Sequence, residues 1–279
     1  MNDSHTHGSA PDQARLAALR TNLTAVEQRL AEACASAGRS RDEVTLVVVT
    51  KTYPAADTRL LAGLGVRDVA ENRDQDAAAK AEECRDLSLV WHFVGQLQTN
   101  KVRSVVRYAD YVHSIDRLRL IEALSIEVRK AERPELGCLI QVALETPEES
   151  AETGSGSAVG SPFGGPFDST RGGGFPASIG PRGGASPDQV AALAEALATA
   201  PGLRCDGLMA VAPLSGRYAG DPGRAFDRLA EISSRLRRDH PAATMVSAGM
   251  SGDLEQAIGS GATHVRVGTA VLGVRPPLG

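Results

Sequence analysis

The sequence predicts an α/β fold, a single (β/α)8 TIM-type barrel with an extra N-terminal helix. Three features carry that prediction. From Val44 onward, short apolar runs alternate with helical stretches, the pattern of repeated βα units around a parallel sheet. Eight such runs occur with no long second domain among them, which favours closing the sheet over leaving it open. The length of 279 residues suits one barrel, since α/β barrels commonly reach this size as single units. A doubly wound open sheet shares the periodicity, and at this point it remains the alternative.

The chain begins with a polar stretch, MNDSHTHGSA. Residues 1–11 are therefore expected to be a disordered tail, with His5 and His7 belonging to it rather than to a metal site. Residues 12–37 place Leu16, Leu19, Leu23, Val26 and Leu30 at three- and four-residue spacing before Gly38, an amphipathic helix with its stop. Strands are expected near 44–50, 68–70, 89–94, 111–114, 136–142, 203–209, 244–247 and 265–267. Helices are expected near 55–64, 73–84, 100–107, 117–130, 187–198, 222–238 and 252–259. One barrel domain thus spans 12–279. Glycine, serine and proline dominate 154–184, so a disordered insertion is expected at about 148–185, at the rim where βα loops gather. It could be a lid carrying Arg171 and Arg182. A tolerated loop expansion explains it more simply, because closure entropy grows slowly with length.

The apolar fraction of 42% and charged fraction of 23% are those of an ordinary globular chain. The net charge is −4 and the basic residues form no stripe, which argues against nucleic acid as a partner. Cys34, Cys84, Cys138 and Cys205 lie far apart with no C-x-x-C pair, so neither zinc nor a disulfide framework is expected and a cytoplasmic location fits. No secretory signal is visible, and apolar runs such as 46–49 are far too short to span a membrane. With no sustained apolar patch beyond the expected core, a monomer is expected.

Chemistry in such a barrel gathers at the carboxyl ends of the strands. Lys51 follows VTLVVVT directly. An amine sheltered at a strand end is desolvated, which favours the neutral nucleophile of Schiff-base chemistry; a lysine reaching out from the strand end into water is the plain alternative. Across the mouth, GMSGD and VRVGTA offer hydroxyls and free backbone amides of the kind that stabilise a phosphate. Arg266 shares a strand face with Gly268 and is expected to point inward, as part of a ligand site or as a structural ion pair.

In order, the blocks VTLVVVTK, ENRDQD, WHFVGQLQTNK, VHSIDR, GLMAV, SAGMSGDLEQAI and THVRVGTAVLG resemble the pyridoxal 5′-phosphate homeostasis protein family. The match runs from about Leu16 to Gly273. The resemblance implies a barrel like the N-terminal domain of alanine racemase, with pyridoxal 5′-phosphate held as an internal aldimine on Lys51. It further implies that Ser251 and the amides around Gly268 and Thr269 hold the phosphate, and that Arg266 approaches the pyridine nitrogen. Asn72, His92, Met209 and Met250 match family positions at the cofactor site, although His92 could equally be a packed interior histidine and the methionines filler. Lys101 also matches and is read as a solvated helix residue. Two departures stand out. The short loop usual after strand five is replaced by the long insertion, and ENRDQD differs from the usual block in placing Asp74 and Asp76, expected on the exposed face of the second helix.

The function implied is a carrier or buffer in vitamin B6 homeostasis that binds pyridoxal 5′-phosphate and releases it to acceptor enzymes, without robust catalysis. A guanidinium facing the pyridine nitrogen opposes its protonation and weakens the ring as an electron sink. None of Tyr53, Tyr108, Tyr111 and Tyr218 stands in the context of the racemase tyrosine. A weak amino-acid racemase is the second reading, and an aldolase-like barrel acting on a sugar phosphate is the third.

Overall fold

The computed structural model describes residues 10–144 and 183–273, with side chains from Asp12 onward. Eight strands close a parallel barrel in sequence order. They are β1 (Thr45–Val49), β2 (Asp68–Glu71), β3 (Val90–Phe93), β4 (Tyr111–Ile115), β5 (Leu136–Gln141), β6 (Leu203–Met209), β7 (Met245–Ser247) and β8 (His264–Val267). Closure is explicit in the register, because Thr45 to Val48 pair with His264 to Val267. An open sheet would leave β1 and β8 as edges, so the doubly wound alternative is excluded. Around the barrel run α1 (Ala10–Ser36), α2 (Ala55–Gly63), α3 (Asp74–Glu83), α4 (Val102–Val105), α5 (Leu118–Lys130), α6 (Val190–Thr199), α7 (Pro222–Asp239), α8 (Leu254–Gly259) and α9 (Thr269–Leu272).

Alternation along each strand divides the barrel into two layers. Val48, Val69, Trp91, Val265 and Val267 face outward into an apolar cluster shared with α1, while Phe93, Val112, Cys138, Ile140, Leu208 and Val246 face a second cluster beneath α5, α6 and α7. On α5, Leu120, Ile121, Leu124 and Val128 are all buried. Each such aliphatic side chain contributes about 1.5–3 kcal/mol on burial. The intervening residues face the axis, among them Val47, Ala70, His92, His113, Met209, Ser247 and Arg266. Several of these are polar, and that sets up the site.

Three expected boundaries are corrected. Helix α1 starts at Ala10, so residues 10 and 11 belong to it; the rest of the expected tail lies outside the described residues. Of the expected insertion, 148–182 lies outside them, whereas Gly183 to Ala185 are tied to the end of β5. Ala185 N–H donates to Gln141 O at 2.8 Å, Ala185 O accepts from Ala143 N–H at 2.9 Å, and the Gln141 side-chain amide donates to Gly183 O. Gly184 permits this through φ +153°, where a Cβ would meet Ala143 N at 2.7 Å. The helix expected at 100–107 shrinks to α4 behind a 3-10 turn, Thr99–Lys101, as its last amides switch to closer carbonyls such as Arg107 N–H to Ser104 O.

Candidate functional site at the barrel mouth

Lys51 stands just past the end of β1, one residue beyond fully buried Thr50. It is exposed and makes no hydrogen bond or ion pair among the described residues, so the shelter expected for it is corrected: the strand end is buried and the amine reaches out. The next residue, Thr52, adopts φ +70°, a left-handed conformation that β-branched residues avoid. This turn is anchored from behind. Lys80 of α3, nearly buried, donates from Nζ to Thr50 O at 2.7 Å and to Glu71 Oε1, which also accepts from Thr50 Oγ1 at 2.6 Å. A buried ion pair therefore grips the backbone that presents Lys51.

The register brings β7, β8, β1 and β2 side by side, so their ends share one sector of the mouth. A Cβ on Gly268 would lie 3.2 Å from Val49 O, which sets the β8 turn directly against the end of β1. Thr269 and Ala270 begin α9 ahead of its first internal bond, Val271 N–H to Gly268 O, and their amides are therefore not used by the helix. In the β7 turn Gly249 adopts φ +88°, where a Cβ would strike the methyl of Ala257 at 2.6 Å. Met250 is exposed and its N–H donates to Asp253 Oδ1 at 2.6 Å; Ser251 is half-buried.

Helix α1 buttresses both turns. Arg29 donates to Ser251 O at 2.7 Å and pairs with Glu255. Arg15 and Asn22 donate to Leu272 O and Val271 O at 3.0 Å each, satisfying carbonyls at the end of α9.

Arg266 points inward, 5% exposed, and among the described residues pairs with no carboxylate. Its guanidinium donates to Ser247 Oγ at 2.6 Å and to Ala210 O at 2.9 Å. Burial lowers its pKa from the usual guanidinium value to about 10, with Asp253 opposing, so it remains a cation at neutral pH. Beyond Ser247, His113 Nδ1 lies 3.0 Å from Ser247 Oγ, His113 Nε2 lies 2.8 Å from His92 Nδ1, and His92 Nε2 lies 3.0 Å from Asp68 Oδ1. Burial, together with the neighbouring His92, Arg266 and His264, drives the pKa of His113 well below the ordinary histidine value.

Of the expected residues, the structure gathers Lys51, Gly268 and Thr269 at one sector, with Ser251 and Met250 on the adjoining turn and Arg266 below. Met209 is buried as the last residue of β6, level with Ser247 at the end of β7. Asn72 is half-buried where β2 ends, its carbonyl packed so closely on Gly95 that a Cβ there would lie 2.1 Å away. His92 is not brought to the mouth: it is 1% exposed, both ring nitrogens are engaged, and it stacks on Tyr111 at 4.9 Å. Lys101 is exposed, as expected. Asp74 is half-buried, with a carboxylate oxygen buried and unpartnered, and only Asp76 is exposed; the placement of Asp74 is corrected because it opens α3 against the barrel. Sequence reasoning missed Glu71, Lys80, Arg29, His113 and Ser247, although Glu71, His113 and Ser247 lie inside blocks it singled out.

Comparison with known proteins finds relatives over most of the chain. The family model described as alanine racemase, N-terminal domain, matches residues 176–276. The pyridoxal phosphate homeostasis protein of Pseudomonas aeruginosa is 37% identical over 260 residues, covering 93% of this chain and 97% of that protein. The Escherichia coli protein of the same name is 33% identical, covering 91% and 95%. The structure of PipY from Synechococcus elongatus with PLP bound superposes with a TM-score of 0.65 at 29% identity, covering 88% of this chain and all of that one. Alanine racemase from Corynebacterium glutamicum shares the fold alone, with a TM-score of 0.57 at 15% identity, covering 95% of this chain and 62% of that one. Identity at this level across nearly the whole length of both chains shows that this chain belongs to the pyridoxal phosphate homeostasis protein family.

Proposed function

We propose that this protein binds pyridoxal 5′-phosphate through Lys51 and acts as a monomeric, cytoplasmic carrier that releases it to acceptor enzymes, without robust catalysis. The observation that carries the reading is an unpaired, exposed amine at the end of β1, set beside the Gly268 turn and above a buried arginine. The donors suit this cofactor. Gly268 leaves space against Val49 that a side chain would fill, the first amides of α9 and the Ser251 hydroxyl are suited to a dianion, and Arg266 supplies a fixed cation below. The PLP-bound structure of the 29% identical PipY supports the same choice.

When bound, pyridoxal 5′-phosphate supplies an aldehyde that a primary amine attacks and a ring that draws electrons from that carbon. Lys51 would hold it by that amine. Ser251, Gly268 and Thr269 would bind the phosphate, and Asn72, Met209 and Met250 would line the mouth. Arg266, cationic and offering only N–H donors, opposes a second positive charge on the ring nitrogen and so restrains electron withdrawal.

Racemisation needs a second acid/base on the opposite face of the ligand. The tyrosines are engaged elsewhere: Tyr53 donates to Gly273 O at 2.5 Å, Tyr108 and Tyr218 pack in the apolar clusters, and Tyr111 stacks on His92 at the start of β4. Their placement supports a carrier over a racemase. The test is to mix cofactor-loaded protein with the apo form of a pyridoxal-phosphate enzyme and, separately, with L-alanine in deuterated water. The apo enzyme is expected to regain activity while alanine gains no α-deuterium. Rapid deuterium incorporation, or an apo enzyme left inactive, would overturn the carrier reading.

A further inference from the structure

The polar interior has a direction. Asp68 and Arg266 stand at opposite ends of a chain of contacts through His92, His113 and Ser247, each link between 2.6 and 3.0 Å. Asp68 lies at the start of β2 and Arg266 toward the end of β8, so the chain rises from the floor of the barrel to the base of the site. A carboxylate can only accept and a guanidinium can only donate. His92 must therefore give its Nε2–H to Asp68, which leaves its Nδ1 as an acceptor. His113 must then donate from Nε2, leaving Nδ1 to accept from the Ser247 hydroxyl. Ser247 Oγ in turn accepts from Arg266. Each link satisfies the next, and with both rings neutral a reversed order would meet acceptor against acceptor at Asp68.

We propose that Asp68, His92, His113 and Ser247 are positioning residues that fix Arg266 beneath the ligand ring and hold it as a donor-only cation. The inference rests on the proposed function for its consequence and on the protein alone for its geometry. Arg266 spends one N–H on Ser247 and one on Ala210 O, so the remaining guanidinium donors face away from those partners. With both rings kept neutral, no group in the chain can take a proton from Arg266 without reversing every link as far as Asp68. Asp253 attracts Arg266 through space from the mouth side but makes no hydrogen bond to it, so it sets charge and not orientation. The lowered pKa of His113 supports the neutral His113 ring this order requires.

The test is ring-nitrogen NMR on the full-length, 15N-labelled protein without cofactor, comparing wild type with Asp68→Ala, Asp68→Asn and Ser247→Ala. Wild type is expected to show His92 and His113 each as a single neutral form protonated at Nε2. In Asp68→Ala, the His113 Nε2 signal moves toward the unprotonated position and the Arg266 side-chain signals shift. Asp68→Asn, which keeps an acceptor oxygen, restores the wild-type pattern. Ser247→Ala shifts Arg266 while leaving His92 on Asp68, and it provides the same test from the other end if Asp68→Ala does not fold. A wild-type His113 protonated at Nδ1, or Arg266 signals indifferent to both ends, would overturn the proposal. With cofactor added, the absorption band is expected to shift in Asp68→Ala while borohydride labelling of Lys51 persists. A wild type that takes no label defeats the proposed function and leaves the nitrogen result to judge the relay alone.

Discussion

Acidification attacks this protein through its barrel interior. His264, at the start of β8, faces the same interior as His92, Asp68 and Arg266, its ring 6.4 Å from that of His92. Burial, with His92 and Arg266 adding and Asp68 opposing, lowers its pKa from 6.5 to about 4. The unfolded chain protonates this histidine below about pH 6.5 while the native protein keeps it neutral down to about 4. The unfolded state thus binds the extra proton, and stability falls as pH falls through that window, being fully present above it. At about 1.4 kcal/mol for each pH unit, the gap amounts to roughly 3 kcal/mol from this one residue. His113 acts with the same sign. Urea unfolding at intervals from pH 7.5 to 4.5 should give a steep decline in wild type and a shallower one in His264→Gln, which retains a partner for Thr263 Oγ1. Parallel curves for the two proteins would refute the reasoning.

Three further outcomes follow from named contacts. Lys80→Met leaves the Glu71 carboxylate buried without its cation and should cost about 3–5 kcal/mol in chemical unfolding, whereas Lys80→Met combined with Glu71→Leu should recover much of that loss. Gly95→Ala places a methyl against the Asn72 carbonyl, where backbone meets backbone; overpacking of about 1–3 kcal/mol should appear as a lower melting temperature. Arg29→Ala removes the donor on Ser251 O and the partner of Glu255, and should weaken pyridoxal 5′-phosphate affinity in equilibrium dialysis while the lysine that carries the label stays the same.

The barrel was legible because alternating apolar runs report strands one at a time, and eight of them without a second domain leave few ways to close a core. Lys51 was legible from its place after VTLVVVT, but its exposure was not: whether an amine at a strand end is sheltered depends on the turn after it, here bent by Thr52 into a left-handed conformation. The layer occupied by His92 was equally hidden, since alternation says that Trp91 and His92 face opposite ways but not which of them faces the axis. Spacing could not reveal the buttress, because Arg29 reaches Ser251 across 222 residues. The grip of Lys80 on Thr50 bridges a strand and a helix whose separation in the chain carries no motif. Gly183 to Ala185 looked like the rest of a glycine-rich run, yet only tertiary pairing with β5 decides that they are ordered.

Borohydride reduction of the cofactor-loaded protein, followed by peptide mapping, bears most directly on the site. A single pyridoxyl-lysine at position 51 is the expected product, and it should disappear in Lys51→Ala. A label on Lys80 or any other lysine, or one that survives the substitution, would contradict the assignment on which the proposed function stands.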